Sequence, residues 1–322
     1  MKFSCVAAVL LATAVIPSGF AAEKTAYPAK PIRILLPTPP GGGNDIMARL
    51  AGQKLSERWG QAVVVDNRPG AGGQIAMETA ARAAPDGYTL LLGTTNLTVL
   101  PSMTKVGYDP VRDFAPVSLM ATSANLLLVH PSLEARSLQQ LLALARAKPG
   151  QLNYASGSVA SSTQLAAELM KSMAGVNITH VPYKGAGPAL MDLLSGQVQI
   201  MFSNPAASAS QVRSGKLRAL AATSDKRLPD FPDLPTMAES GLPGYEASTW
   251  WGILAPRGTP ASVVRQLSEV ISNAVTAGYV RSRIAALGAQ PAGGPPQQLA
   301  TLIRDEIPKW SRVIKEAGIR LD

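Results

Sequence analysis

PIRILLPTPPGGGNDIMAR, Pro31 to Arg49, is the stretch whose reading decides the fold. Ile32 to Leu36 is an apolar run bracketed by Pro31 and Pro37, long enough for a strand buried on both faces and too short for a helix. The run ends in a Gly-rich turn, Pro37 to Asp45, and a helical pattern begins at Ile46. A strand closed by such a turn and followed by a helix aims backbone N–H groups and the positive end of a helix dipole at one spot. That arrangement suits an anion and needs no reactive side chain.

The same punctuation recurs along the chain. Small-residue turns at Asp66 to Gln74, Leu92 to Asn96, Tyr154 to Thr163, Pro182 to Gly187 and Phe202 to Ser208 each follow a short apolar run. Strand-like runs are read at Val63 to Val65, Thr89 to Leu92, Leu126 to Val129, Leu152 to Ala155, Ile178 to Val181, Ile200 to Phe202, Leu217 to Ala222 and Gly252 to Ala255. Helical patterns lie between them, among them Ile46 to Arg58, Thr163 to Ala174 and Val263 to Thr276. This alternation predicts an α/β fold of mostly parallel sheets flanked by helices, with a ligand crevice at the carboxyl ends of the strands.

Residues 1–21 read as a secretory signal peptide: Lys2 gives a basic start, Val6 to Ile16 is apolar but too short to cross a bilayer, and Pro17 to Ala22 is rich in small residues. Cleavage after Ala21 places Gly19 and Ala21 at the positions that must be small, and the expected location is the periplasm. The single cysteine, Cys5, falls inside that segment, so the processed chain is expected to lack disulfides, thiolate metal sites and cysteine nucleophiles. About 300 residues then remain, more than one core usually serves, so two lobes are expected. Asn125 to His130 and Trp250 to Pro256 read as the two crossings between them. Residues 22–124 with 252–322 form the first lobe and residues 125–251 the second, hinged as a clamp. Trp250 and Trp251 read as packing at that hinge.

The formal net charge is +9, but Lys and Arg are scattered singly and aromatic residues are few, which argues against a nucleic-acid partner. No GxSxG elbow or phosphate-binding GxxxxGK[ST] loop is present, and PGAGGQIA puts Ile75 where a dinucleotide turn needs its third glycine. His130 and His180 are isolated, His180 reading as structural, so neither a catalytic constellation nor a metal or cofactor site is expected.

In order, PIRILLPTPPGGGNDIMAR, VVVDNRPGAGGQIA, PDGYTLLLGT, DFAPVSLMA, LNYASGSVASST, THVPYKGAGPALMDLLSGQVQIMF, LPTMAESGLPGYE and WWGILAP resemble the Bug-type solute-binding proteins of tripartite tricarboxylate transporters. The resemblance covers essentially all of the processed chain. It implies a two-lobed periplasmic binding protein of the Venus flytrap kind (type II-like), not an enzyme. Such a receptor closes on a di-, tri- or aromatic carboxylate as a monomer and hands it to integral membrane transporter subunits. A ligand-loaded partner of a membrane sensor kinase is the second expectation, and an exported enzyme the third.

The resemblance places Thr38, Gly41, Gly42, Gly43 and Asn44 at the ligand, with Asp45 capping the following helix. Thr94, Thr95 and Asn96 join them from the first lobe; Ser156, Gly157, Ser158, Ser161, Ser162, Lys184 and Asn204 come from the second. Arg68 is an even choice between clamping a carboxylate and a structural role, whereas Arg49, inside the first helix, reads as structural. Relatives commonly carry an aromatic residue at the position of Thr38 and an aspartate at that of Ser203; with serine there, a ligand bearing an ammonium group is not expected.

Overall fold

The computed structural model describes residues 27–157, 160–276 and 278–320, so the signal segment read at 1–21 and the candidate Ser158 lie outside the described residues. The first lobe opens with β1 (Ile32–Leu36), α1 (Gly43–Trp59), β2 (Val63–Asn67), α2 (Gln74–Ala81), β3 (Thr89–Thr94), the single turn α3 (Asn96–Val99) and β4 (Phe114–Ser123). The second comprises β5 (Leu126–Val129), α4 (Leu138–Ala147), β6 (Asn153–Ser156), α5 (Ser162–Ala174), β7 (Thr179–Pro182), α6 (Ala186–Leu194), β8 (Ile200–Ser203), α7 (Pro205–Arg213) and β9 (Arg218–Ala222). The chain returns through β10 (Thr249–Pro256) to α8 (Ala261–Val275), α9 (Gly278–Ala286), β11 (Gln290–Pro291) and α10 (Pro296–Ala317).

Two sheets result, ordered β11-β4-β10-β3-β1-β2 and β7-β6-β8-β5-β9. They are mixed, which corrects the expectation of mostly parallel sheets. β1 pairs parallel with β2 and β3, and β6 with β7 and β8, whereas β10 runs antiparallel to β3 and β4, and β5 antiparallel to β8 and β9. The cause is the path of the chain. A strand entering a lobe from its neighbour starts at the edge facing that neighbour, where the strands already in place end, so it must run against them. β5 enters this way, with Leu126 opposite the last residues of β8 and β9, Ser203 and Ala222.

The pleat divides the apolar run of β1 between two cores. Ile34 and Leu36 face a cluster containing Met47 and Leu55 of α1 and Leu267 and Ile271 of α8, while Leu35 faces Met77 of α2 and Leu299 and Ile303 of α10. In the second lobe Leu127 and Phe202 meet α4 and α5, and Leu126 and Met201 meet α6. α10 belongs to both lobes. Its first half buries Leu299 and Ile303 in the first lobe, and its second half buries Trp310, Val313 and Ile314 among Tyr154, Leu165 and Leu169 of the second.

Trp310, 2 % exposed, therefore fills the second-lobe core from a helix that begins in the first. Trp310→Ala is expected to cost ~3–5 kcal/mol in urea unfolding. Because α10 is shared, the loss is expected in one transition, with far-UV CD and tryptophan emission coincident; two separated transitions would contradict the shared packing.

Candidate ligand-binding site

The carboxyl ends of β1 and β3, the amino end of β10 and the loops after β6, β7 and β8 converge on a cavity of about 500 Å³ between the lobes. Its first-lobe wall carries Pro37 and Thr38 after β1, Asn44 of α1, Thr94 to Asn96 after β3, and Trp250 and Trp251 of β10. The second-lobe wall carries Gly157, Ser161 to Thr163 at the start of α5, Ala186 of α6, and Ser203 and Asn204 at the start of α7. Leu165 and Met201 form an apolar floor, and Asn125 and Thr249 line the side where the chain crosses.

Among the described residues no Lys, Arg, His, Asp or Glu lines this cavity. Polarity comes from hydroxyls, amides and helix starts. The hydroxyl oxygens of Thr38 and Thr95 are buried against it without a hydrogen-bond partner among the described residues. A buried polar atom left unpaired costs about 1–3 kcal/mol; Ser240 Oγ and Trp310 Nε1 are likewise unpaired but lie away from the cavity, so what distinguishes the two threonines is their place on its wall.

Local chemistry fixes each wall. The Asp45 carboxylate, 5 % exposed, accepts from the Gly41 N–H (3.1 Å), from Arg49 Nε and Nη2 (2.9 and 3.1 Å) and from Asn67 Nδ2 (3.2 Å). These bonds, those of the Arg49 guanidinium first, hold its carboxyl below the usual range. Asn67 Nδ2 also donates to the Thr38 carbonyl at 3.0 Å, tying the first loop to the second strand. Gly73 lets the second loop press on the first: its φ is +102°, and a Cβ there would lie 2.7 Å from Pro37 Cβ. Trp251 Nε1 donates to Asn44 Oδ1 at 2.5 Å.

Beneath the second-lobe loop lies a buried chain of polar groups. Gln164 Oε1 accepts from the Ala160 N–H at 2.6 Å, which holds Ala160 at φ +61° and turns the Gln164 amide nitrogen toward His180 Nδ1, 3.2 Å away. With Nδ1 accepting, His180 Nε2 donates to Ser156 Oγ at 2.7 Å. Burial lowers the His180 pKa from its ordinary 6.5; Glu168 works against this and Lys171 with it. The ring also stacks on Tyr154 at 4.8 Å, whose hydroxyl donates to Glu168 Oε1 at 2.5 Å.

Of the residues expected at the ligand, Thr38, Asn44, Thr94, Thr95, Asn96, Gly157, Ser161, Ser162, Ser203 and Asn204 lie on the cavity. The others stand apart. Arg68 is bound to Asp66 (3.0 Å), Lys184 is exposed beyond the rim, and Ser156 is buried under the loop against His180. Gly41, Gly42 and Gly43 shape the turn without lining the cavity, and the Gly41 N–H is taken by Asp45. Asn204 faces the cavity with its side chain already engaged: Oδ1 accepts from the Ala206 N–H (2.8 Å) and Nδ2 donates to Ser123 Oγ (2.8 Å). Sequence reading missed Asn125 and Thr249, and it assigned Trp250 and Trp251 to packing alone. Their signal is position, since each stands at a crossing between lobes.

The family model described as tripartite tricarboxylate transporter family receptor matches residues 47–319. The protein BugT of Bordetella pertussis is 40% identical over 323 residues, covering 99% of this chain and 98% of that one. An R. palustris protein solved with adipate superposes with a TM-score of 0.73 at 39% identity, covering 91% of this chain and 99% of that one. MatC from Rhodopseudomonas palustris, with bound malate, gives 0.71 at 33% identity over 89% and 100% of the two chains.

The lowered His180 pKa sets a pH dependence. The unfolded chain takes up this proton first, so the stabilisation is complete above the unfolded value of about 6.5 and is lost as pH falls below it. Urea unfolding of the wild type is expected to weaken between about pH 7 and 5, and His180→Gln is expected to flatten that slope. An identical slope in the variant would remove His180 from the account.

Proposed function

The chain belongs to the tripartite tricarboxylate transporter receptor family, and from that premise we propose that it captures a small organic carboxylate between its lobes in the periplasm and delivers it to the membrane subunits of such a transporter. One observation carries the reading: a ligand-sized cavity between two lobes that, among the described residues, has no charged side chain on it, with the Thr38 and Thr95 hydroxyls unpaired on one wall and the starts of α5 and α7 on the other. The volume of about 500 Å³ is in the range of small-molecule sites. The adipate and malate held by two relatives support a dicarboxylate of four to six carbons. Leu165, Met201 and the two tryptophans give its carbon chain an apolar bed.

Neutral donors are adequate for this task. A micromolar dissociation constant corresponds to about 8 kcal/mol, and a hydrogen bond to a charged group contributes about 1.5–3 kcal/mol. Two or three such bonds at each of two carboxylates, with about 0.3–1 kcal/mol from each helix start, give about 7–20 kcal/mol, a range that reaches well past that figure before the costs of association and closure are subtracted. One wall alone gives about half as much, which the costs of association and closure consume, so both lobes are expected to engage the acid. The absence of an acidic residue on the cavity among the described residues disfavours ligands that bear an ammonium group.

A thermal-shift and calorimetric panel of adipate, malate, citrate, benzoate, lysine and uncharged 1,6-hexanediol tests the proposal. At least one acid is expected to raise Tm by about 5 °C at a hundredfold excess over Kd, with the diol and lysine inert. A panel in which no acid stabilises the chain, or one in which an acid is converted, would overturn it. Thr38→Val and Thr95→Val are each expected to weaken the stabilising acid about tenfold while leaving the Tm of the free protein unchanged or higher, because neither hydroxyl has a partner to lose among the described residues.

A further inference from the structure

Trp250 borders the ligand cavity and also a second crevice of about 580 Å³ on the far side of the crossing strands. The rear crevice is walled by Leu119, Thr122, Ser224, Glu246, Gln298 and Leu302. The Trp250 side chain is 1 % exposed and packs in the first-lobe core with Leu35, Leu254, Leu299 and Ile303. Packing leaves the one polar atom of the indole to be satisfied, and a hydrogen bond fixes it: Trp250 Nε1 donates to Glu306 Oε2 at 2.7 Å.

Glu306 stands on α10, and its own position is unusual for a carboxylate. It is 1 % exposed, and among the described residues it has no salt bridge; the nearest cation on its helix, Lys309, is bound to Glu246 at 2.8 Å. Desolvation by burial raises its pKa, against the lowering influence of Trp250, Lys309, Thr98 and Trp310. Placing a carboxyl group there is costly unless it is fully used. Its second donor is the Thr98 hydroxyl, 2.8 Å from Glu306 Oε2, and the same hydroxyl lies 2.8 Å from the Thr95 carbonyl oxygen. Thr98 is fully buried in α3, the turn that presents Thr95 and Asn96 to the cavity. One carboxyl group thus joins the indole partition, the turn bearing an unpaired ligand-facing hydroxyl, and the helix that both lobes share.

We propose that Glu306 is a positioning residue for the ligand site: without touching the ligand, it holds Trp250 and the Thr95 turn in the arrangement that receives it. This rests on the receptor reading above, but its first test needs no ligand. In ¹H–¹⁵N spectra of the free protein the four indole N–H groups serve as reporters. Glu306→Leu is expected to speed exchange of the Trp250 indole proton about tenfold and to move the Thr95 and Asn96 amides, while Trp59 stays unchanged. Glu306→Gln, which keeps an acceptor in the same place, is expected to restore all three. An unchanged Trp250 in Glu306→Leu, or Glu306→Gln behaving as the leucine variant does, would overturn the proposal. Should Glu306→Leu fail to fold, Thr98→Val takes its place, with displaced Thr95, Asn96 and Trp250 signals expected and undisturbed ones overturning. A second arm measures adipate affinity by calorimetry, where Glu306→Leu is expected to weaken binding about tenfold and Glu306→Gln far less. Adipate bound equally by all three proteins would overturn the proposal. A wild type that ignores adipate counts against that acid as ligand and leaves the indole arm to decide for Glu306.

Discussion

Both walls of the cavity are suspended from two chain crossings that lie side by side, and the hydrogen bonds between them govern the rest of the molecule. Thr223 N–H donates to the Asn125 carbonyl (2.9 Å), the Asn125 N–H donates to Thr223 Oγ1 (2.8 Å), and the Ala247 N–H donates to the Thr223 carbonyl (2.9 Å). Thr249 Oγ1 closes the set on the Ser123 carbonyl at 3.2 Å. With outgoing and returning segments cross-linked in this way, the lobes keep a common edge, and the ends of β1, β3, β6 and β8 must face one another across it. Sheet polarity follows from the same fact, because β5 and β10 can only start at that edge.

A third connection limits what the crossings allow. α10 runs from one core into the other, with Pro308 inside it. Interior proline removes a helix hydrogen bond and favours a bend. Leu299 and Ile303 lie before it and Trp310, Val313 and Ile314 after it, so the helix changes lobe where it is most easily bent. Nearby contacts add to the latch between lobes. Asn204 of the second lobe reaches Ser123 of the first, and Ser123 Oγ in turn donates to the Gly288 carbonyl at 2.9 Å. Gly288 has φ +68°, and a Cβ there would collide with Asn204 Oδ1, so this contact between lobes depends on its being glycine.

How much of this is legible in the sequence depends on whether a residue acts locally. β1 and β5 have the boundaries read from the sequence, since Pro31 and Pro37 frame one and Asn125 and His130-Pro131 the other. β4 is ten residues long and is not read as a strand, because Pro116 interrupts its pattern; the fold accommodates it beside a shift in register opposite Ile253 and Leu254 of β10. Likewise the antiparallel crossings have no local signature, as direction is decided by which lobe the chain comes from. For the site, hydroxyl-rich loop residues such as Thr94, Thr95 and Ser162 are legible from the turns they occupy. Arg68 is not, because its partner Asp66 sits two residues earlier and the sequence does not say which way either side chain turns.

Among the described residues the charges of this protein lie around the cavity rather than in it. The two arginines nearest the first-lobe loops are occupied, Arg49 by Asp45 and Arg68 by Asp66, and His180 is spent on Ser156 and Gln164. A lysine or arginine inside would bind almost any anion strongly, with little regard to its shape. Hydroxyls and helix starts are weaker and directional, so affinity depends on each donor meeting an acceptor at the right place. Rigid positioning then becomes the decisive property. Hence much of the polar chemistry of the chain lies one layer behind the cavity, in Asp45, Asn67, Gln164, His180 and Glu306, where it sets the geometry of groups that are themselves uncharged.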